Sequence, residues 1–283
     1  MVDLRIATRR SPLALAQARW VADRLNEHSP GMVIDLVEIT TAGDRDRSSA
    51  IAGLTEVGAF VRAVQHAVLD GRADVAVHSS KDLPVTGPAG LHAVYPERLA
   101  PWDVVCGSRL DDLAAGSRVG TGSPRRRSQL LALRPDLDVV DVRGNVDTRL
   151  GRVASGELDA VVLAEAGLTR MGLAGEVAQR LTLDEMVPAP GQGALAVETA
   201  GGGPAAAAAL IEHPPTRRAV TVERTVLARS GAGCRAALGV LAVPSGEVVT
   251  MTGFVEDDRG RRRASVAADD GTVADRMIEA LRL

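Results

Sequence analysis

Short apolar runs alternate with helical amphipathic patterns over most of the chain, an order that predicts α/β architecture with largely parallel sheets. LRIAT, from Leu4, reads as a strand. SPLALAQARWVADRLNEH follows as a helix, with Ser11 suited to the N-cap and Pro12 to the first helical position. Leu13, Gln17, Trp20, Val21 and Leu25 share one face of it, apolar but for the glutamine. MVIDLVEITT is the next strand, and Gly58 to Gly71 reads as a helix. ADVAVHSS is a buried strand running into KDLPV, a loop made irregular by Pro84, Pro88 and Gly90.

A second unit echoes the first. SRVGTG is a strand, and SPRRRSQLLAL is a helix that again opens with Ser-Pro, at Ser123 and Pro124. DLDVVDVRGNVDTRL adds a strand and a loop carrying Arg143 and Arg149, and ELDAVVLAEAGLTRMGL adds a strand and a helix. GQGA reads as a turn. GGGPAAAAAL is an inter-domain passage or a surface helix. From Pro214 the texture becomes α+β: a helix, three antiparallel strands (ALGVLAV, EVVTMTGFVEDD, RRRASVAADDG) and the closing segment TVADRMIEALRL.

The 283 residues suit two or three domains, and 46% apolar with 24% charged residues marks a globular chain. Two Trp, one Tyr and two Phe leave Ala, Val and Leu to fill the cores. So few aromatics, with a formal charge of −3, argue against a nucleic-acid partner. Two cysteines cannot build a disulfide framework and fit a reducing compartment. The N-terminus lacks the apolar core of a signal peptide, and no segment reaches the roughly 18 to 20 apolar residues of a membrane span. A soluble cytoplasmic protein is expected. His28, His66, His78, His92 and His213 are scattered without metal-ligand spacing, so no metal is expected. There is no G-x-S-x-G turn for a serine hydrolase.

Three features could carry chemistry. The 33 basic residues include a single lysine, Lys81, which sits beside Asp82 where a buried strand ends. An arbitrary Lys-Asp pair is a surface ion pair worth about 0 to 1 kcal/mol. The sole lysine at a sheet's C-terminal edge tilts that choice toward function. Taken as extended chain, the two residues point to opposite sides and touch different parts of one ligand. Second, Arg9, Arg10, Arg125, Arg126 and Arg127 crowd two helix starts, where the helix dipole opposes them. Residues 118–152 hold eight arginines against four aspartates, a local net of +4. Such a run is usually a solvated face. At strand ends it makes better sense with an anion bound between the two sites. Third, Cys106 lies in an apolar context and reads as a small buried hydrophobe. Cys234 lies in a Gly-rich loop with Arg229 and Arg235 near enough to lower its thiol pKa. It is a reactive thiolate or an attachment point.

IATRRSPLALAQA, HSSKDLP, VGTGSPRRRSQL, RGNVDTRL, LAEAGLTRMGL, PAPGQGALAVE and GAGC, in this order from about residue 4 to residue 240, resemble the porphobilinogen deaminase (hydroxymethylbilane synthase) family. The resemblance implies two periplasmic-binding-protein-like doubly wound α/β domains plus a small α+β C-terminal domain. They would span 1–97 with 192–211, 98–191, and 212–283. It implies a dipyrromethane primer held covalently, as a thioether, on Cys234. Porphobilinogen would be deaminated and joined head to tail onto the primer four times, and water would release hydroxymethylbilane for tetrapyrrole (haem-type) biosynthesis. By motif match Asp82 would protonate the departing amine and stabilise the azafulvenium cation left behind. Lys81, Ser123, Arg125, Arg126 and Arg149 would bind the primer. Arg9, Ser11, Arg143 and Arg170 would hold porphobilinogen or the growing polypyrrole chain. A monomer is expected, without membrane or nucleic acid.

The chain also departs from the family pattern. Ala42 stands where an arginine is usual in Thr41-Ala42-Gly43-Asp44, Gly53 and Val57 where lysines are usual, and Arg235-Ala236-Ala237 lacks the customary proline. Rate or chain-length control could differ for that reason. Two other readings are a divergent paralogue that turns over poorly and a non-enzymatic receptor for a small polycarboxylate. The receptor leaves Cys234 and the Lys81-Asp82 pair without a purpose.

Overall fold

Strand β1 (Leu4–Arg9) buries both of its faces, Leu4 and Ile6 on one side and Ala7 on the other, which requires helices above and below. The structure, a computed structural model, describes residues 3–40, 55–231 and 237–283. They divide into two compact units, one of Met1–Arg98 with Ala194–Arg217, the other of Leu99–Gly193 with Arg218–Leu283. Ala42, Asp44, Gly53, Cys234 and Arg235 lie outside the described residues.

In the first unit the sheet runs β2 (Ile34–Ile39), β1, β3 (Val75–Ser79), β10 (Leu195–Thr199), β4 (His92–Val94). Strands β1, β2 and β3 are parallel, and β10 is antiparallel to both its neighbours. Helix α1 (Pro12–His28) covers one face with Ala18, Val21 and Leu25, joined by Ala208 of α6 (Gly202–Ala209). Helix α2 (Thr55–Leu69) covers the other with Val64, Ala67 and Val68.

The second unit repeats this plan: β7 (Asp138–Val140), β6 (Arg118–Gly120), β8 (Ala160–Ala164), β5 (Asp103–Gly107), β9 (Val177–Arg180). Here β5 is the antiparallel strand. Leu130 of α3 (Pro124–Leu133) packs one face. Val146, Leu150 and Val153 of α4 (Val146–Ala154), with Leu168 of α5 (Glu165–Arg170), pack the other. The antiparallel strand of each sheet comes from across the chain's crossing points: β5 precedes the second unit's parallel strands, and β10 follows them.

The C-terminal sheet, β11 (Ala237–Ser245), β12 (Val248–Asp257) and β13 (Gly260–Ala268), is antiparallel. It packs with α7 (Pro214–Arg229) and α8 (Val273–Leu281) around Val226, Met251 and Met277. Each fully buried aliphatic side chain contributes about 1.5 to 3 kcal/mol. Most ion pairs here are exposed and contribute less than about 1 kcal/mol each, so apolar burial holds the fold. The architecture is α/β, two doubly wound sheets with a small α+β C-terminal region.

Several expectations change. KDLPV does not begin as an irregular loop, because Ser80–Asp82 forms one 3₁₀ turn. The stretch bearing Arg149 is α4, not a loop. Strands β4, β5, β9 and β10 had no sequence reading, each being only three to five residues long, too short for a periodic pattern.

Candidate active site

Two adjacent parallel strands deliver the first unit's candidates to one sheet edge. Strand β1 ends at Arg9 ahead of Ser11, and β3 ends at Ser79 ahead of Lys81 and Asp82. Ser80 N–H donates to Ala194 O at 3.0 Å and Leu83 N–H to Ser80 O at 3.3 Å, closing the turn. Ser80 and Leu83 are buried at either end, which leaves Asp82 exposed between them. In a 3₁₀ turn neighbouring side chains diverge by about 120°, so Lys81 and Asp82 do not point to opposite sides as extended chain would have them.

Ser11 is the N-cap of α1, its Oγ accepting from Ala14 N–H at 3.3 Å. The Arg9 guanidinium lies over the Phe60 ring, 4.3 Å from the centroid. That aromatic face orients it without neutralising it. Arg9 Nε is buried without a hydrogen-bond partner, and among the described residues no carboxylate pairs with Arg9.

The second unit presents its candidates at the corresponding edge. Ser123 and Arg125–Arg127 follow β6, Arg143 and Arg149 follow β7, and Arg170 follows β8. Ser123 Oγ accepts from Arg126 N–H at 3.4 Å, the expected N-cap of α3. Two of the crowded arginines have an anion within the chain. Asp103, fully buried at the start of β5, accepts from Arg125 Nη1 at 2.7 Å and from Arg126 Nε at 2.8 Å. Arg125 Nη1 also reaches Val187 O, and Arg126 Nη1 reaches Val162 O. Arg125 and Arg126 are only 4% and 5% exposed. Burial alone would raise the Asp103 carboxyl. The two guanidiniums and a hydrogen bond from Gln192 outweigh it and hold the carboxyl well below the usual carboxylate range.

Arg170 is placed differently. Its Nη2 donates to Gly193 O at 2.8 Å, its Nε is buried without a hydrogen-bond partner, and among the described residues no carboxylate neutralises it. Burial pushes its pKa down to about 10. Arg149 Nε donates to Gly144 O at 2.9 Å, and Arg143 is exposed, 3.6 Å from Asp141. Arg127 turns away to Val139 O.

Cys106 sits in the core beneath α4 and α5, and burial pushes its thiol up to about 11. It is an inert packing residue, as its context suggested. Cys234 follows α7 and precedes β11. Arg229 pairs with Asp275, and Cys234 and Arg235 lie outside the described residues. Among the described residues no cluster of His, Cys, Asp and Glu is placed to hold a metal, and no helix is long and apolar enough to cross a membrane. The sequence reading missed Asp103 and Gln192. The only local signal was a lone carboxylate opening the apolar run DVVCG.

The chain is similar to known proteins over most of its length. The family described as "Porphobilinogen deaminase, dipyromethane cofactor binding domain" matches residues 4–207. A porphobilinogen deaminase of Thermobifida fusca is similar at 47% identity over 277 residues, covering 95% of this chain and 83% of that one. Porphobilinogen deaminase 1 of Streptomyces coelicolor is similar at 51% over 249 residues, 84% of this chain and 77% of that one. The Roseiflexus castenholzii protein of the same name shares 41% over 289 residues, covering 99% and 95%.

Proposed function

Because the chain belongs to the porphobilinogen deaminase family, we propose that it joins four porphobilinogens head to tail on a Cys234-linked dipyrromethane and releases hydroxymethylbilane. The observation that carries this reading is the uncompensated charge of the partly buried Arg170, whose Nε is fully enclosed, with Arg9 likewise unpaired by any described carboxylate. A buried guanidinium without a counter-ion is costly unless an anion arrives with the ligand. Each pyrrole of the primer and substrate carries an acetate and a propionate, so the donor set fits a polycarboxylate.

When bound, the dipyrromethane supplies the terminal pyrrole carbon to which the first substrate is joined. Arg125, Arg126, Arg149, Lys81 and Ser123 would hold its carboxylates. Arg9, Ser11, Arg143 and Arg170 would hold porphobilinogen and the growing chain. Asp82 Oδ donates a proton to the departing amine of porphobilinogen. The resulting carboxylate faces the positive charge left on that ring, then accepts a proton from the ring being extended. Its exposure on a turn anchored by buried Ser80 and Leu83 suits a group that must meet successive substrates.

The working division is 1–97 with 192–211, 98–191, and 212–283, the last carrying Cys234. The enzyme works as a cytoplasmic monomer. Incubation of the purified protein with porphobilinogen tests the reading. Substrate loss with release of a linear tetrapyrrole supports it. Reversible binding without ammonia release would assign a receptor instead.

A further inference from the structure

Asp103 is paired with more positive charge than it can neutralise. One guanidinium would balance its carboxylate, yet Arg125 and Arg126 both bond to it, and among the described residues neither has another carboxylate. The cluster therefore keeps a net positive charge inside a buried shell. A role in folding alone leaves the second arginine unexplained, since an apolar side chain there would spare the desolvation of a charge.

The carboxylate is also tied to a turn. Gln192 Nε2 donates to Asp103 Oδ1 at 3.1 Å and to Pro101 O at 2.7 Å. The next residue, Gly193, has φ +87° and accepts from Arg170 Nη2 at 2.8 Å. A Cβ on Gly193 would lie 2.4 Å from Leu99 O, so no larger residue fits this turn without shifting it. Gln192 and Gly193 thus join the Arg125–Arg126 pair to Arg170 through two adjacent residues.

We propose that Asp103 and Gln192 are positioning residues, which fix the Arg125 and Arg126 guanidiniums for the primer's carboxylates and set Arg170 in register with them. The proposal rests on the reading of Arg125 and Arg126 as primer-binding residues. Neither Asp103 nor Gln192 need touch the primer.

The test is Gln192→Glu, with primer loading read as the fraction of chains that gain the two-ring mass after a fixed incubation with porphobilinogen. At neutral pH the new carboxylate opposes Asp103 and competes for the two guanidiniums, whereas the parent's amide donates to both Asp103 and Pro101 O. Loading by this variant should be about tenfold slower than the parent's at the same pH. The primer-free double variant with Cys234→Ser should remain folded, which separates positioning from stability. A loading rate matching the parent's would overturn the proposal. Should Gln192→Glu fail to fold, Gln192→Met removes the two donated hydrogen bonds without adding charge. Loading several-fold slower supports the proposal, and the parent's rate overturns it. Arg126→Leu tells the two readings apart. Normal loading there sinks the primer-binding reading, whereas impaired loading beside normal Gln192 variants sinks only this inference.

Discussion

Gln17 Nε2 donates to Ser79 Oγ at 2.8 Å, fastening helix α1 to the end of β3 two residues before Lys81. The helix that begins at the Ser11 cap and the strand that ends at the Lys81-Asp82 turn are therefore held by one side-chain bond within the first unit. The polar residue on the otherwise apolar face of α1 belongs to the site's scaffold.

Asp82→Asn should separate chemistry from folding. The side chain is exposed and keeps its shape, so the melting temperature should not move. Turnover should fall by about 100-fold or more, the scale of a positioned acid or charge stabiliser. A near-normal rate would remove Asp82 from the mechanism.

Arg170 should trade stability for binding. Its pKa is lowered to about 10 in the fold, so the charged form is disfavoured relative to the unfolded chain. For a base lowered in this way the penalty is full at neutral pH and is relieved only as pH rises through about 10. Arg170→Gln in a primer-free Cys234→Ser background should accordingly melt no lower than its parent. In the primer-bearing enzyme the same change should raise KM for porphobilinogen by about tenfold, the loss of one charge-assisted contact. A lower melting temperature with unchanged KM would reverse the assignment.

Acid stability should report on Asp103. Its carboxyl is held low in the fold, so the native chain binds fewer protons than the unfolded one as pH approaches the ordinary carboxylate value. The stabilisation is complete above about pH 4 and is lost as pH falls below it. Asp103→Asn should lower stability at neutral pH by about 3 to 5 kcal/mol and flatten the acid limb of the stability curve. An acid limb as steep as the parent's would contradict this.

Glu223 is a second buried carboxylate with a structural task. It accepts from Gly191 N–H at 2.6 Å and Ala242 N–H at 2.8 Å, tying α7, the turn before Gln192 and β11 together. Glu223→Gln leaves one carbonyl oxygen for two donors, at a cost of about 1 to 3 kcal/mol in denaturant unfolding. A loss near zero would mean that the three segments are held by packing alone.

Much of the fold was legible because long helices and caps declare themselves locally. Ser11-Pro12 and Ser123-Pro124 marked two helix starts, and both serines cap as expected. The C-terminal strands alternated clearly enough to be read. Strand β5 carries Asp103 in a short apolar run without periodicity, and α4 begins at Asn145, whose side chain makes no capping bond. The crowded arginines were a partial signal: Asp103 answers Arg125 and Arg126, whereas Arg10 pairs with Glu38 and Arg127 bonds Val139 O. What no local pattern could reveal is that the anion for Arg125 and Arg126 is Asp103, more than twenty residues earlier in the chain and brought up by an antiparallel strand. Arg170 could be told from these two only by its missing counter-charge, a tertiary property.

The covalent primer on Cys234 is the central claim, and the intact mass of the denatured protein tests it most directly. A thioether survives denaturation, whereas a ligand held by arginines alone does not. Protein from a porphobilinogen-producing host should exceed its sequence mass by one two-ring unit. Cys234→Ser should lose that increment, because a hydroxyl is a far poorer nucleophile than a thiolate at neutral pH. Cys106→Ser should retain it, since that thiol is buried in the core. A chain that carries no adduct, and gains none on incubation with porphobilinogen, would contradict the account.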